Sequence, residues 1–461
     1  MTARTALPAV LALLVGCGQG GHTEGDALDD QDVSGQEDVL DDLIEDAAEE
    51  DPGEDEDDPE PEPLVWPNED CAASSHPCLM EIHDRITLMR PRVLALNFIN
   101  HRSMAEMHDQ LTEVIAAFTE GSRPHGYSDP GAEPAMIYEL AYEIDLRDET
   151  PPTDWPYNNS TLFPREDPVE GYWGFDYEQL FTPEFADLYG IQDPSDPSRN
   201  LDLCELANLG LVHEVWLYGD QDVPDGSAAE LLEIKPYYDE DRVRIDFPMN
   251  RCAGNGCFDD EDLIPEHCTS SIRISWNNNT RGPGCFMENF SHAFESIGAR
   301  DPRQIPTLSK DFMRFAAFDL DERYGLAFDS WYVCPYGEPC LSYESVTSVS
   351  YDISGLTGTI DPYDPVCGNV HFIPNGRQHY DLDSPYPVLS TCEGFGLREG
   401  TDGGDMLRPF TSGSFAAYRD MAHDCMGAYL VFWMQSWPGP GSTAVGLDGE
   451  VMLSWWPYVY Y

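Results

Sequence analysis

Between Cys285 and Ile297 the chain reads Cys-Phe-Met-Glu-Asn-Phe-Ser-His-Ala-Phe-Glu-Ser-Ile. At about 100° per residue, Glu288, His292 and Glu295 fall at i, i+4 and i+7 on one face of a helix. Phe286, Phe290, Phe294 and Ile297, with Met287 beside them, fall on the other. Two carboxylates and an imidazole within one arc are the donor types of a divalent metal site, and equally of a general acid/base set. The spacing Glu-x-x-x-His-x-x-Glu is far less specific than His-Glu-x-x-His. The default for such a face is solvent, with an ordinary Glu/His pair at i, i+4.

Other residues able to do chemistry lie before and after this helix. Glu214 sits in the strand-like run Val212–Tyr218, and Glu230 and Glu233 follow it. In open α/β sheets, site residues commonly stand just beyond strand ends, which makes Glu214 and Glu233 candidate catalytic carboxylates. His371, His379 and Asp381 form a late cluster of further possible ligands or bases, although a lone loop histidine is more often polar surface. Asp220, Asp222 and Asp225-Gly226 echo a calcium loop but miss the EF-hand spacing. Tyr172, Trp173, Phe175 and Tyr177 could line a carbohydrate groove, though aromatic clusters more often pack.

The elements expected to hold these groups alternate in type. Arg92 to Ile99 reads as a buried strand and Met136 to Leu146 as a second. Between them Ser103 to Thr119 reads as a helix, opened by the capping box Ser103-x-x-Glu106. A short helix at Leu203 to Leu209, strands at Val212 to Tyr218 and Ile272 to Trp276, and helical residues at Phe312 to Phe318 follow. This order predicts an α/β body with a partly parallel sheet flanked by helices, carrying long disulfide-stapled loops. The apolar, aromatic stretches Ala428–Trp433 and Val451–Tyr461 are expected to pack on its core.

Charge and cysteine content bound the surroundings. The chain has 86 acidic and 24 basic residues, a net charge of −62. Residues 18–63 hold 21 of the acids and no Lys or Arg, so the body after Pro63 is strongly acidic in its own right. Such a surface makes nucleic acid and anionic lipid head groups poor partners, suits a saline medium, and makes divalent cations plausible ones. Residues 17–63 are too polar to fold and read as a linker reaching about 40 Å. Thirteen cysteines leave an even twelve once Cys17 is set aside, enough for up to six bridges in an exported chain. Cys71/Cys78, Cys252/Cys257 and Cys334/Cys340 are near pairs. Arg4, the apolar run Ala6–Val15 and Leu14-Val15-Gly16-Cys17 have the order of an export signal. This end resembles a bacterial lipoprotein signal, which implies lipidation at Cys17, membrane anchoring and, with Gly18, an outer-membrane or cell-surface location. The expected division is a signal over 1–16, an acidic linker over 17–63 and one large body over 64–461.

Several segments taken together resemble a family of exported bacterial proteins without an assigned activity. They are Val212-His213-Glu214-Val215-Trp216; Asn278 with Arg281-Gly282-x-Gly284; Met287-Glu288-x-Phe290-x-His292-x-x-Glu295-Ser296; His371-Phe372-x-Pro374-Asn375-Gly376; and Tyr380-Asp381. Members carry a Glu-Val-Trp strand, an Asn-Tyr-Glu-Arg-Gly turn, a Phe-Gly-His-Arg-x-Glu-Ser helix and a His-Phe-Pro-Pro-Asn segment, and some are joined to carbohydrate-binding modules. The likeness runs from about residue 203 to 437 and implies a site at Glu288, His292, Glu295 and His371. Thr280, Ser291, Ala293 and Ser436 depart from the family pattern.

Three functions follow as expectations. In the first, His292, Glu295 and His371 hold a divalent metal, zinc or calcium, and Glu288, Glu233 or Glu214 serves as the catalytic carboxylate of a hydrolase acting on extracellular peptide or polysaccharide. In the second, two carboxylates, such as Glu233 with Glu288 or Glu295, act on glycans without metal. In the third, the chain is a non-catalytic surface protein that binds carbohydrate or cell wall.

Overall fold

The structure, a computed structural model, describes residues 62–99, 101–147, 165–166, 173–174, 177–219, 231–258, 264–400 and 403–461. The expected lipoprotein signal with Cys17, the expected acidic linker up to residue 61, Tyr172, Phe175, Glu230 and the Asp220–Gly226 run lie outside the described residues. The described residues fall in one compact unit, Glu60–Tyr461.

A six-stranded sheet organises this unit. In chain order its strands are β1 (Arg92–Asn97), β2 (Glu139–Asp145), β3 (Glu214–Gly219), β4 (Leu231–Tyr238), β5 (Arg244–Asn250) and β6 (Ile272–Asn278). Their spatial order is β2-β1-β3-β6-β4-β5. The first four in that order run parallel, and β4 and β5 close the sheet antiparallel. The partly parallel α/β expectation therefore holds. Every residue of β3 and β6 is buried, as strands covered on both faces must be.

Helix α1 (Met104–Gly121) connects β1 to β2 and opens on the capping box read from the sequence, with Glu106 N–H donating to Ser103 Oγ and Ser103 N–H to Glu106 Oε2. A short α2 (Leu203–Asn208) precedes β3, and α3 (Pro283–Glu295) follows β6. Helices α4 (Pro306–Phe315) and α5 (Gly427–Gln435) pack with α3 into the main core. There Phe290 meets Phe118 of α1 at 4.8 Å, Phe286 meets Trp216 of β3 at 4.8 Å, and Phe294 stacks on Trp437 at 4.1 Å. Each such ring removed from water contributes about 1.5–3 kcal/mol. A three-stranded antiparallel sheet over Leu341–Ile360 lies outside the central one. No helix among the described residues is long and apolar enough to cross a membrane.

All twelve cysteines after Cys17 are paired: Cys71–Cys78, Cys204–Cys268, Cys252–Cys257, Cys285–Cys425, Cys334–Cys340 and Cys367–Cys392. The three near pairs expected from spacing are among them.

Two buried histidines tie the edges of this body together. His213 Nδ1 accepts from Arg92 N–H at 2.8 Å and its Nε2–H donates to the Ala72 carbonyl at 2.9 Å. His83 donates from Nε2 to the Ser454 carbonyl at 2.8 Å and accepts at Nδ1 from the Tyr461 hydroxyl. Each accepting nitrogen would lose its bond on protonation. Burial accordingly lowers His213 to about 4 and His83 to about 3. An unfolded histidine binds its proton near pH 6.5, so the unfolded chain takes up these two protons before the folded one does. Their contribution to stability is complete above pH 6.5 and is lost as pH falls toward 4, at about 1.4 kcal/mol per pH unit for each histidine. Urea-unfolding midpoints taken at pH 7, 6, 5 and 4 should fall accordingly. The slope should be shallower by one proton in His213→Gln, and an unchanged slope in that variant would refute the assignment.

A candidate metal centre on helix α3

Local sequence explains why α3 lies where it does. Gly282 is its N-cap and Pro283 its first residue, a position where the missing N–H costs nothing. The Asp424 carboxylate accepts from Gly282 N–H at 2.6 Å and Gly284 N–H at 2.9 Å. Cys285–Cys425 locks the same turn. A Cβ on Gly427 would stand 2.3 Å from the Gly284 Cα, so α3 and α5 touch backbone to backbone. At its far end α3 runs into a wider π-helical turn over Ser296–Arg300, a deviation found often at functional sites.

The polar face of α3 is not washed by solvent, contrary to the default for such a helix. Glu288 and Glu295 are buried, and the His292 ring is 20 % exposed. A loop carrying His371 covers them. Glu295 Oε1 accepts from Val370 N–H at 2.8 Å, one residue before His371. Asn369 Oδ1 accepts from His371 N–H at 3.2 Å and Phe372 N–H at 3.0 Å, and Cys367–Cys392 anchors the loop. Glu295 Oε2 faces His292 Nδ1 at 3.1 Å and accepts from the Tyr332 hydroxyl at 2.9 Å.

These partners fix the tautomers of both imidazoles. Glu295 Oε2 accepts a hydrogen bond from His292 Nδ1–H, which leaves the Nε2 lone pair pointing outward. His379 donates from Nε2 to the Cys334 carbonyl at 2.9 Å, so its Nδ1 is an acceptor. His371 Nδ1 faces that acceptor at 3.0 Å and must carry the proton, again leaving an Nε2 lone pair. The two Nε2 atoms face each other at 3.1 Å. Glu288 Oε1 stands 3.9 Å from one and 3.7 Å from the other. Three lone-pair atoms thus converge with a cation-sized gap among them. A point equidistant from all three lies about 2.1 Å from each, the length of a Zn–N or Zn–O bond. Without a metal, a shared proton is the other way to relieve facing lone pairs.

The electrostatics agree with a cation here. Burial disfavours the charged His292 ring, but the hydrogen bond and charge of Glu295 outweigh it and raise its pKa. Burial lowers that of His371. Burial also opposes the Glu288 carboxylate, but His371 and the Tyr380 hydroxyl more than offset it and hold its carboxyl below the ordinary value. The Tyr380 hydroxyl donates to Glu288 Oε1 at 2.7 Å and lies 2.9 Å from His371 Nε2. Burial first, then the charge of Glu288, raises this phenol and keeps it protonated. Tyr380 adopts a left-handed backbone, φ +62°, uncommon for a bulky residue and concentrated at functional sites. It is 40 % exposed and the neighbouring Tyr336 65 %, so the cluster lies just beneath a tyrosine-rimmed surface. On the other side of His292 a cleft of about 440 Å³ is lined by His292, Glu295, Tyr332, Phe318, Arg300 and Asp329, among others.

Glu288, His292, Glu295 and His371 therefore lie together in one cluster. Glu288 takes the third corner of the trio, and Glu295 stands behind His292. His379 forms a second layer, while Asp381 is turned away to Arg377, at 2.6 and 2.9 Å. Tyr332, Tyr336 and the aim of Tyr380 had no sequence signal beyond the Tyr380-Asp381 likeness. Two other groupings of ligand-type residues contain Cys204, Cys285 or Cys425, all in disulfides and so without a thiolate to offer.

Glu214 and Glu233 do not join this cluster. Glu214 opens β3, at the amino end of the strand rather than the carboxyl end where the rule for open sheets applies. Strand register sets it beside Arg273, with Glu233 on the other flank. Glu214 is saturated by donors: Tyr138 at 3.0 Å, Tyr460 at 2.7 Å, Trp216 Nε1 at 2.9 Å and Arg273 at 3.3 Å. Glu233 pairs with Lys235 at 3.2 Å and Arg273 at 3.4 Å. Arg273 lies 4.7 Å over the Phe290 ring, on the apolar side of α3, opposite the His292 face. These are buried carboxylates whose charges are neutralised by Arg273 and Lys235.

Comparison of the chain with protein-family models, characterised proteins and solved structures gives no significant match.

Arg273→Met should destabilise the fold by about 3–5 kcal/mol, because it strands two buried carboxylates. Glu214→Gln should cost less, since its donors keep an acceptor. Chemical-denaturation midpoints check both, and a near-neutral Arg273→Met would contradict the account.

Proposed function

We propose that Glu288, His292 and His371 bind one divalent metal ion of zinc type, and that the chain is an exported, lipid-anchored hydrolase of extracellular peptide or polysaccharide. The observation behind this reading is the pair of Nε2 lone pairs held 3.1 Å apart beside a carboxylate. Two imidazole nitrogens and one carboxylate oxygen suit zinc better than calcium, which takes six to eight oxygens. A metal with open positions supplies a bound water whose pKa falls to about 7. Glu295 and His379 hold the two rings in their ligating tautomers. Tyr380, kept protonated, is a hydrogen-bond donor beside the ligands and suits an oxyanion that develops during acyl or glycosyl transfer. The cleft beside His292 offers room for the substrate.

One observation favours a second reading. Neither Glu288 nor His371 lines the 440 Å³ cleft, which meets the cluster only through His292 and Glu295. A metal so placed could instead fasten the His371 loop to α3 in a non-catalytic carbohydrate-binding or cell-wall-binding protein.

Metal analysis of the purified chain should find about one zinc-type ion per molecule, lost in His292→Ala and His371→Ala while cooperative unfolding persists. Glu295→Gln should weaken metal affinity by about 10- to 100-fold, the usual cost of removing the partner behind a histidine ligand. A protein that stays metal-free after equilibration with zinc, or a His292→Ala variant that retains its metal, would sink the centre. Peptide and glycan hydrolysis panels separate the two readings. A loaded protein that binds polymer but cleaves none supports the second.

A further inference from the structure

At the carboxyl end of β6, Asn277, Asn278 and Asn279 are consecutive and buried, at most 6 % exposed. The Nδ2 atoms of Asn277 and Asn278 have no hydrogen-bond partner, and neither amide atom of Asn279 has one. Asn277 and Asn278 line a cavity of about 20 Å³ between the strand end, α1 and the first turns of α3, with Arg281, Trp276 and Phe286 on the same wall. That is room for one particle of about the size of a water molecule.

The chemistry of the wall selects the particle. Asn278 Oδ1 accepts from Thr280 N–H and from its hydroxyl, both at 2.9 Å, so the free atom of Asn278 is the amide donor. The main-chain oxygens of Asn278 and Arg281 are taken by Gln110 Nε2 at 3.2 and 2.7 Å. Among the described residues, the Arg281 guanidinium donates to the Sγ atoms of Cys285 and Cys425, at 3.8 and 3.9 Å, weak partners for a full charge. The first amides of α3 are already used by Asp424. Among the described residues, the fully buried polar atoms on this wall that lack a partner are the amide nitrogens of Asn277 and Asn278, and the buried Asn289 side chain completes the lining. A water molecule would satisfy those donors but would bring two hydrogens of its own that need acceptors. A monatomic anion needs donors alone, and Arg281 offsets its charge.

We propose that this cavity binds a monatomic anion of chloride size, held by Asn277 Nδ2 and Asn278 Nδ2 beside Arg281. The site lies about one turn before the candidate metal centre on α3, and the Arg281 charge also acts on Tyr380 there. Its effect is to complete the donors at the joint between β6 and α3.

Crystals of the full chain soaked in bromide should show an anomalous peak within hydrogen-bonding distance of both amide nitrogens. In solution, exchanging gluconate for chloride at fixed ionic strength should raise the melting temperature by about 3 °C over a hundred-fold range above the dissociation constant. Asn278→Asp keeps the acceptor that Thr280 uses and replaces the free donor with a carboxylate oxygen. It should lose both the peak and the chloride effect. Should that variant not fold, Arg281→Met is expected to weaken the chloride dependence at least ten-fold. Water-like density without anomalous signal, equal midpoints in the two salts, or a chloride shift that survives either substitution would overturn the proposal.

Discussion

The carboxylate of Glu295 is the point on which the candidate centre turns. One oxygen holds Val370 N–H and so fixes the loop that delivers His371. The other faces His292 Nδ1 and accepts from Tyr332, which fixes the ring opposite. A single buried acid thereby sets the position of one imidazole and the rotation of another, 79 residues apart in the chain. Such a group is expensive to bury unless every lone pair has a donor, and here the donors are a main-chain amide, a phenol and an imidazole. The fixed geometry is what makes the facing Nε2 atoms informative. Two free rings would rotate apart, whereas these are held at 3.1 Å by partners on their far sides.

The same helix separates two populations of buried carboxylate. On its apolar side, Glu214 and Glu233 flank Arg273 in adjacent strands, and Lys235 pairs with Glu233 while holding the main-chain oxygens of Val459 and Tyr461. Burial pulls Lys235 down to about 8, although Glu233 works the other way. There, charge is matched by charge. On the polar side, Glu288 and Glu295 meet imidazoles and phenols, and Glu288 Oε1 and the two Nε2 atoms face one another. Matched charge is the mark of a structural network, and converging lone pairs are the mark of a cation site.

Much of the frame could be read from the chain because local signals agreed with tertiary demand. The capping box at Ser103, the apolar stretch of β1 and the four-residue rhythm of Phe286, Phe290 and Phe294 each describe a surface that had only one way to be buried. Strands β4 and β5 escaped notice for the opposite reason. Leu-Leu-Glu-Ile-Lys-Pro-Tyr-Tyr looks like a solvated edge until Arg273 and the end of the chain are known to cover its charges. Spacing brought Glu288, His292 and Glu295 to one face, but it could not say which acid would ligate. That depends on the ring nitrogen each one meets, and therefore on a loop far along the chain. Tyr332, Tyr336 and His379 were silent for the same reason, since contacts across long loops leave no periodic trace.

The distribution of charge closes the argument. One of only two lysines and a fully buried arginine are spent inside, neutralising Glu214 and Glu233. These two cations cancel those two acids, so the rest of the chain carries the whole of the large net negative charge. A field of that sign concentrates divalent cations around the molecule and lowers the free energy of a cation entering the Glu288 trio, while it works against any anion. An anion could be held only where local donors outnumber acceptors and a guanidinium stands by. Asn277, Asn278 and Arg281 make such a place at the end of β6. Opposite demands at the end of β6 and on the helix that follows it are compatible because each is decided by contacts of about 3 Å, while the long-range field is screened within about 8–10 Å at physiological salt.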